Sequence, residues 1–482
     1  MVFLSENNNL KILLVSSEVA PYAKSGGLGD VAGSLPKALK NLGVDVRVVV
    51  PKYKSIKSEH FSDVKYLGSF LTSLSWRTQE AKILLKETDF PIYFVENDFY
   101  FGRDGLYGYG DDNERFAFFC KSAIDMLALI DFYPDVIHCN DWQTGPISLF
   151  LKEVYCKLIY YSKIKTLFTI HNLQYQGNFG TETMDILGAP SHCFDNIEFY
   201  GNVSYMKSGL MYADRISTVS KKYADEIQTD EYGYGMSGVL RDKRDKLCGI
   251  VNGIDYIVND PATDTRIVKN FDVNSIYLKK ENKRALQEQL GLEQRDVPII
   301  SIISRLADQK GLDLVAQIFE QLMREDIQFV VLGTGESRYE YMFKNFASRY
   351  PGRISANILF DDTLAQRIYA SSDMFLMPSL FEPCGLGQMF SLRYGTIPIV
   401  RKTGGLADTI THYNVDTKQG NGFVFEDYNG GGLLWAIHEA LSVYHRGEEE
   451  WNQVVRNAMN CNYSWDSSAR EYVKLYEDLK NS

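Results

Sequence analysis

The sequence has few features of a secreted, membrane-bound or zinc-stabilised protein. Only seven of its 482 residues are cysteines, and they stand singly, without any C-x-x-C pair. This odd, scattered set favours reduced thiols over a disulfide frame or a structural zinc site. No apolar run approaches the roughly 20 residues that span a bilayer, and the first twelve residues lack a cationic start followed by an apolar core. We therefore expect a protein of a reducing compartment that is neither exported nor embedded in a membrane.

Positive charge is also in short supply. Lysine and arginine number 51 against 62 aspartates and glutamates, which gives a formal net charge of -11. The acidic residues are spread along the chain and are not gathered in a tail. This balance argues against a protein that coats nucleic acid or anionic lipid. Any phosphate group that the protein binds must therefore meet positive groups placed locally.

Several catalytic motifs are missing as well. The sequence has no G-x-x-x-x-G-K-[ST] phosphate loop, no G-x-S-x-G elbow and no H-E-x-x-H metal helix. No D-x-D occurs, so a divalent metal clamp on a diphosphate has no obvious ligands, and we expect no metal. The run 233–238 fits the dinucleotide fingerprint G-x-G-x-x-G, but polar residues precede it and no strand leads into it. We therefore discount a nicotinamide site.

The composition is that of a folded α/β protein with more than one domain. Hydrophobic residues make up 45% and charged residues 23% of the chain, and roughly 150 residues per domain gives two or three domains. Short β-rich runs alternate with longer amphipathic stretches, which is typical of parallel sheets. The predicted strands are 11–16, 44–50, 135–139, 166–170 and 215–220 in a first set, and 297–304, 327–332, 374–378 and 396–400 in a second. The sequence therefore predicts two doubly wound, Rossmann-like domains.

The alternation stops between the two sets and again near the C-terminus. Residues 256–275 are rich in Asp, Asn and Thr and show neither period, so we place a linker there, between an N-terminal domain at 1–255 and a C-terminal domain at 276–460. In the last segment, 461–482, apolar residues recur at helical spacing: Trp465, Ala469, Tyr472, Tyr476 and Leu479. We expect one amphipathic helix that docks on a domain.

One sequence motif occurs in both predicted domains. The pattern K-[ST]-G-G-L-x-D occurs at 24–30 and at 402–408, each time after a predicted strand and at the start of a helix. Paired glycines at such a turn let backbone N–H groups converge on an anion, and the helix N-terminus adds a favourable potential. Two such turns facing across a cleft would hold a phosphorylated ligand between domains. The alternative is a pair of tight turns in which glycine serves packing alone.

Two further clusters lie at predicted strand ends of the second domain. In the run 304–311 (SRLADQKG), the planar guanidinium of Arg305 and the flexible ammonium of Lys310 can bind a diphosphate. The alternative is that both are ordinary surface cations. In the run 381–387 (FEPCGLG), Glu382 is placed to grip sugar hydroxyls, with a helix-capping acid as the alternative. Cys384 has no cationic neighbour in sequence, so we expect an inert buried thiol.

The first domain carries polar residues at two predicted strand ends. Asp141 follows the strand at 135–139, and His171 follows the strand at 166–170. The carboxyl edge of a parallel sheet is where ligands bind in α/β proteins, so these side chains are candidates for one shared pocket. For each residue taken singly, a structural hydrogen bond is the alternative.

Long motifs in a fixed order extend these clusters over nearly the whole chain. They are KSGGLGD, NDWQTG, TIHNLQYQG, YGYGMSG, VNGID, SRLADQKG, FEPCGLGQ and RKTGGLAD. Taken together, they resemble the bacterial glycogen synthases and plant-type starch synthases. The resemblance implies an α/β protein with the GT-B fold, in which two Rossmann-like domains flank a cleft and the last helix crosses back to the first domain.

The resemblance also implies an activity and a set of residues. The activity is retaining transfer of glucose from ADP-glucose to the non-reducing end of an α-1,4-glucan, with no metal or other cofactor. Glu382, Asp141, His171, Arg305 and Lys310 match the residues around the transferred sugar and the diphosphate. Donor contacts extend this set to Lys24, Gly26, Gly27, Phe360, Cys384, Gly385, Leu386, Thr403 and Gly404, and Asn172 matches an acceptor contact. Phe360 falls where an aromatic ring stacks on adenine.

Three positions depart from the family pattern. Asn140 and Gln143 stand where the family often has His, and Gly387 stands where it has Thr. The alternatives to the predicted activity are another GT-B transferase that uses UDP-glucose, a phosphorylase, and a glucan-binding relative without catalysis. We expect no nucleic-acid or membrane partner and a cytoplasmic location, with the plastid stroma as the alternative. The sequence does not determine the oligomeric state.

Overall fold

The computed structural model describes residues 10–482 and divides into two compact units. The first unit runs to Gly253 and regains Trp465–Ser482, and the second unit is Ile254–Ser464. Most of the first twelve residues, on which the absence of a leader was argued, therefore lie outside the described range. Among the helices from residue 10 onward, none has the length and apolar character needed to cross a bilayer.

Each unit contains a sheet with parallel strands that are joined by helices. The strands of the first unit are β1 (Lys11–Val15), β2 (Asp45–Pro51), β3 (Lys65–Leu74), β4 (Arg77–Glu87), β5 (Pro91–Glu96), β6 (Val136–Asn140), β7 (Lys165–Ile170), β8 (Asn178–Phe179), β9 (Glu198–Phe199), β10 (Asn202–Ser204), β11 (Arg215–Thr218) and β12 (Leu247–Gly249). The strands of the second unit are β13 (Ile299–Ile303), β14 (Gln328–Leu332), β15 (Ile354–Asn357), β16 (Met374–Met377), β17 (Ile397–Arg401) and β18 (Phe423–Phe425). The two predicted sets of strands are confirmed.

The helices alternate with these strands. In the first unit they are α1 (Gly27–Asn41), α2 (Asp98–Phe101), α3 (Asp112–Leu129), α4 (Pro146–Leu149), α5 (Thr183–Leu187), α6 (Phe194–Ile197), α7 (Tyr205–Tyr212), α8 (Lys221–Glu226), α9 (Ser237–Asp242) and α18 (Trp465–Lys480). In the second unit they are α10 (Lys279–Gln289), α11 (Leu312–Leu322), α12 (Ser337–Arg349), α13 (Asp362–Ser371), α14 (Gly387–Arg393), α15 (Gly404–Thr409), α16 (Gly430–Tyr444) and α17 (Glu448–Met459).

The large sheet of the first unit has the order β12-β11-β7-β6-β1-β2-β5-β4-β3. It is parallel from β12 to β5, and Leu14 in β1 pairs with Val48 on one side and His138 on the other. Strand β4 runs antiparallel to both of its neighbours, β3 and β5. This hairpin was not predicted, because its alternating, half-exposed side chains lack the continuous apolar run of a buried parallel strand.

The sheet of the second unit has the order β15-β14-β13-β16-β17-β18, and all neighbouring strands are parallel. Helix α11 packs its apolar face into the core of this unit, with Leu312, Val315 and Phe319 fully buried. The strands β13, β16 and β17 are neighbours in this order, so the loops that leave their carboxyl ends meet at one edge.

The predicted linker at 256–275 is wrong. The chain passes between units at Gly253–Ile254, and residues 256–275 belong to the second unit. Ile267 and Phe271 are buried in its core, and Tyr394 donates a hydrogen bond to the buried Asp264 carboxylate. The segment lacks a helical or strand period because it is held by turns and side-chain hydrogen bonds, which leave no periodic signal in sequence.

The C-terminal helix α18 belongs to the first unit, although it follows the second in sequence. The residues that recur at helical spacing, including Trp465 and Leu479, are buried as predicted. Tyr476 lies 2.8 Å from the Nδ1 of the buried His138 in β6, and Ser468 donates to the Val251 carbonyl at 2.6 Å. The helix is therefore fixed by polar contacts as well as by apolar area.

A buried lysine joins several elements of the second unit. Lys279, at the start of α10, is only 8% exposed. Its Nζ lies within hydrogen-bonding distance of the carbonyl oxygens of Tyr369, Ala370 and Tyr394 and of the Thr396 hydroxyl, at 2.8 to 3.1 Å. One side chain therefore satisfies oxygen atoms from α13, the end of α14 and the start of β17.

We expect Lys279→Met to lower the free energy of unfolding by about 3 kcal/mol, because it leaves buried acceptors without a donor. The matched control is Lys280→Met, since Lys280 is about half exposed and makes only a surface ion pair with Glu448. Pulse proteolysis across a urea gradient measures both. Equal midpoints for the two variants would contradict a structural role for the Lys279 contacts.

Candidate functional site

The candidate residues of the first unit lie at the carboxyl ends of three adjacent strands. Strand β1 leads to Glu18, β6 leads to Asp141 and β7 leads to His171, and the sheet order places β7, β6 and β1 side by side. Carboxyl ends of neighbouring parallel strands converge, so the topology brings these side chains to one edge of the sheet. Asp141 and His171 are brought together as the sequence predicts.

The first glycine turn binds an anion supplied by the protein itself. The backbone N–H groups of Ser25 and Gly26 donate to Glu18 Oε2 at 2.6 and 3.3 Å, and Ser25 Oγ donates to Oε1 at 2.6 Å. Tyr107 also donates to Oε1, at 2.8 Å, and Glu18 is 3% exposed. The turn thus has the anion-binding capacity expected of it, but in this structure a carboxylate uses the N–H groups of Ser25 and Gly26.

Sequence reasoning missed Glu18. Its position in the sequence could have identified it, because the run Ser16-Ser-Glu18 directly follows β1 and places an acid at the same sheet edge as Asp141. Lys24, which the sequence assigned to donor binding, forms an ion pair with Asp30 at 2.8 Å across the same turn. Gly27 begins α1 and is exposed.

Asp141 has a strained backbone and a partly buried side chain. Its backbone φ is 57°, a left-handed value that is uncommon for a residue other than glycine. The carboxylate accepts the backbone N–H of His171 at 2.7 Å and that of Asn172 at 3.4 Å. Burial raises the pKa of Asp141 from 3.8 to about 7, and these two hydrogen bonds oppose the shift. The group is therefore poised to change protonation near neutral pH.

His171 is held as a neutral ring. Its Nε2 lies 2.9 Å from Asn140 Oδ1, so Nε2 carries the proton and donates it to the amide oxygen. Burial lowers the pKa of His171 to about 3. The side chain of Asn172, the predicted acceptor contact, accepts the backbone N–H of Gln174 at 3.0 Å and so shapes the loop after β7.

An open depression lies beside these strand ends. It has a volume of about 340 Å³, and Tyr175 is 50% exposed on its wall. Flat aromatic rings next to amides and a carboxylate suit a sugar, which presents both C–H faces and hydroxyl groups. Its lining residues are Tyr107, Gly108, Asp112, Trp142, Gln174, Tyr175, Gln176, Gly177, Asn178 and Phe179.

In the second unit, the predicted cation and carboxylate form a direct pair. Lys310 Nζ lies 2.6 Å from Glu382 Oε2, and Ser379 donates to the same oxygen at 3.0 Å. The Glu382 side chain is 8% exposed and that of Lys310 is 19% exposed. Lys310 comes from the loop after β13 and Glu382 from the loop after β16, and these strands are adjacent. The pair compensates the buried carboxylate, and the Lys310 side chain as a whole is partly exposed.

Two glycines let the loops approach this pair. At Gly311, φ is 67° and a Cβ atom would lie 2.0 Å from the Pro378 carbonyl oxygen. At Gly404, φ is 44° and a Cβ atom would lie 1.9 Å from the Glu382 carbonyl oxygen. The N–H of Gly405 donates to that same carbonyl at 3.1 Å. The loops after β13, β16 and β17 are therefore locked together by backbone contact, with Thr403 at the head of the six-residue helix α15.

The other donor-side residues are placed less tightly. Arg305 is exposed, and its Nη2 lies 3.5 Å from Gln309 Oε1. Phe360 is 79% exposed in the turn after β15, which is an edge strand two positions from β13. The structure therefore does not bring Phe360 into the Lys310–Glu382 cluster.

Cys384 is buried, as expected of an inert thiol, and all seven cysteines are free. Gly385 and Leu386 lead from it into α14. At Gly387, a Cβ atom would lie 3.0 Å from the ring of Phe375 and 3.3 Å from the Tyr369 hydroxyl, so a larger residue there would require these side chains to shift. Asn140, another of the positions expected to depart from the family pattern, accepts a hydrogen bond from His171, as described above.

One cluster of possible metal ligands lies elsewhere in the first unit. Glu153, His192 and Cys193 each offer one ligand atom, and these atoms lie within 4.8 Å of one another. None of the three comes from the ends of β1, β6 or β7. The residues placed at the two sheet edges therefore do not belong to this cluster.

Comparison with known proteins gives a consistent result over both units. The family model described as the starch synthase catalytic domain matches residues 11–242, and that of group 1 glycosyl transferases matches residues 283–458. The glycogen synthase of Desulforudis audaxviator (strain MP104C) is 52% identical over 97% of this chain and 96% of its own length. That of Clostridioides difficile (strain 630) is 50% identical over 98% of this chain and all of its own.

Solved structures agree with the sequence matches. The catalytic domain of starch synthase IV from Arabidopsis thaliana, bound to ADP and acarbose, superposes with a TM-score of 0.92 at 32% identity, covering 98% of this chain and 100% of that chain. The sucrose-phosphate synthase of Thermosynechococcus elongatus covers 98% of this chain and 99% of that chain with a TM-score of 0.62 at 16% identity, which shows the fold alone.

The raised pKa of Asp141 predicts a pH-dependent stability. A carboxyl whose folded pKa lies above its unfolded value stabilises the fold below pH 4 and loses this contribution as the pH rises through about 7. We therefore expect Asp141→Asn to become more stable relative to the native protein between pH 4.5 and 8, by about 1 to 3 kcal/mol. Calorimetric scans at several pH values measure the difference, with the exposed Asp242→Asn as the control. A stability difference that does not change with pH would contradict the shift.

Proposed function

Because this chain belongs to the family of glycogen and starch synthases, glucan glucosyltransferases of GT-B fold, we propose that it transfers glucose from ADP-glucose to the non-reducing end of an α-1,4-glucan. A nucleotide-sugar donor and a glucan acceptor follow from the family. The preference for ADP-glucose is supported by the plant relative, which was solved with ADP. The observation that carries the proposal is the Lys310–Glu382 pair at the carboxyl edge of the second sheet.

The donor is proposed to bind through its diphosphate. Cleavage of the bond between C1 and the phosphate oxygen places negative charge on departing ADP and positive charge on the sugar. Lys310 is held in place by Glu382, and Arg305 stands exposed at the start of the same loop, so both can meet the phosphates. The Glu382 carboxylate, with Ser379 as a second partner, is then the candidate for the glucosyl hydroxyls. These fixed cations perform the task that a metal performs elsewhere, and we propose a reaction without a metal.

The acceptor is proposed to enter the first unit. The open depression walled by Trp142 and Tyr175 offers aromatic surfaces and amides for a glucan end, and Asn172 lies in the same loop as Tyr175. The relative from Arabidopsis was solved with acarbose, an oligosaccharide, which supports a site for sugar chains. Asp141 and His171 lie at the neighbouring strand ends and are candidates for contacts to the transferred glucose. That the two units close on one ligand stays a prediction.

Retention of configuration requires either a protein nucleophile or attack from the face of the leaving group. We favour the second route: the acceptor O4 bonds to C1 as the bond from C1 to phosphate breaks, and the O4 proton passes to a phosphate oxygen of ADP. Glu382 is engaged by Lys310 and Ser379, which makes it a poor nucleophile. His171 is neutral because burial keeps its pKa near 3, so it does not provide a cation for the leaving group.

The first test is incorporation of label. The full chain is incubated with radiolabelled ADP-glucose or UDP-glucose plus glycogen, and the precipitated polymer is counted. We expect label from ADP-glucose at a higher rate than from UDP-glucose. A higher rate with UDP-glucose would identify UDP-glucose as the donor. If neither donor labels the polymer, the proposal is wrong and the alternative of a non-catalytic glucan-binding protein is supported. Absorbance of a lysine-bound pyridoxal phosphate would point to a phosphorylase.

The second test removes one cation at a time. Lys310→Ala and Arg305→Ala each lose a charge-assisted contact to the diphosphate, so we expect kcat/KM to fall roughly ten- to a hundredfold. Arg305→Ala is the cleaner variant, because Arg305 is exposed and removing it does not leave a buried carboxylate without its cation. The exposed Lys344→Ala on α12 is the control. Native turnover in both loop variants would remove these residues from the mechanism.

A further inference from the structure

A second concave site lies in the second unit, and neither Lys310 nor Glu382 lines it. Its cavity volume is about 660 Å³, which falls within the range of ligand pockets. It is bounded by the end of α15, the edge strand β18 and the first turns of α16. Among its lining residues are Lys402, Thr411, His412, Glu426, Asp427 and Trp435. Lys310, Glu382 and Thr403 are not part of this lining.

A pair of stacked rings forms one wall of this pocket. The rings of His412 and Trp435 lie 5.5 Å apart at an interplanar angle of 13°, and Trp435 is 49% exposed. The backbone N–H of Val424 donates to His412 Nδ1 at 3.1 Å, and Phe423 packs edge-on against the same ring. The strand β18 therefore fixes His412, and His412 in turn supports a large, partly exposed indole.

The polar groups of the pocket carry a surplus of negative charge. Lys402 Nζ lies 2.6 Å from Glu426 Oε1, so the single ammonium of the lining is already paired. Asp427 adds a second carboxylate next to it. This charge opposes a phosphate or a nucleotide, whereas the hydroxyls of a neutral sugar can donate to carboxylates and accept from an ammonium.

We propose that this pocket is a docking site for a stretch of α-1,4-glucan, separate from the site where glucose is transferred. One face of a glucose ring stacks on Trp435, and its hydroxyls bond to the Lys402–Glu426 pair and to Asp427. The inference rests on the proposed function, because the polymer it binds is the acceptor of that reaction. A polymer offers many chains at once, so a second contact raises the local concentration of chain ends at the enzyme without changing the chemical step.

Binding without turnover provides the test. Native electrophoresis of the full chain in gels containing increasing glycogen, with no nucleotide sugar present, yields an apparent dissociation constant. We expect Trp435→Ala to weaken this binding about tenfold, as loss of one stacked aromatic contact implies. Trp435→Phe should restore most of it. The matched control is Tyr341→Ala, since Tyr341 is 73% exposed on α12 and lies outside the pocket.

Kinetics distinguish this site from the transfer site. With glycogen as acceptor, Trp435→Ala should raise KM and leave kcat unchanged, whereas with maltotriose both constants should match those of the native enzyme. Glycogen binding equal to that of the control variant would overturn the proposal. Equal losses with maltotriose and glycogen would also overturn it, because they would place Trp435 in the transfer site.

Amide hydrogen exchange identifies the occupant. Maltoheptaose should slow exchange in residues 410–412 and 424–427, and ADP should not. Protection by ADP alone would assign the pocket to a nucleotide and refute a glucan site. Because none of the binding measurements uses turnover, loss of the proposed transferase activity and loss of this docking site are separate results.

Discussion

The contact between Lys310 and Glu382 is the interaction on which the rest of the second unit's site depends. A buried carboxylate is costly without a counter-charge, and a partly exposed ammonium 2.6 Å away supplies one. The two residues belong to different loops, so they meet only because β13 and β16 are adjacent and because Gly311 and Gly404 allow the backbones to touch. The sheet order, the glycines and the charge pair are therefore parts of one arrangement. Ser379 gives Glu382 a second partner, which lets Lys310 also face a ligand.

In the first unit, a buried carboxylate is also compensated, but by backbone N–H groups and not by a lysine side chain. There the N–H groups of a glycine turn carry partial positive charge, and the buried Glu18 carboxylate satisfies them. Asp141 lies at the same sheet edge and bonds to backbone N–H groups of the loop after β7. Acidic side chains thus organise the loops of the first unit, whereas the proposed diphosphate contacts of the second unit are basic.

Much of this arrangement could be predicted from sequence. Continuous apolar runs predict the parallel strands. The loops that follow these strands contain glycines and the polar residues Asp141, His171, Lys310 and Glu382, so the strand ends and the candidate residues could be predicted together. Other features leave no local signal. The hairpin β3–β4 is half exposed, the segment 256–275 is held by turns, and the role of Glu18 depends on a turn seven residues further along the chain. Phe360 shows the limit of a motif match, because its ring is exposed and no contact of the ring with residues 10–482 tests the expected stacking on adenine.

Helix α18 makes the first unit discontinuous along the chain. Its buried residues, among them Tyr476 and Leu479, follow the whole of the second unit in sequence. The second unit is complete in sequence at Ser464, so it can finish folding while the first still lacks the partner of His138. The first unit is therefore completed only after the second has been synthesised, and a chain that ends before residue 465 lacks the helix whose buried face packs into the core of the first unit.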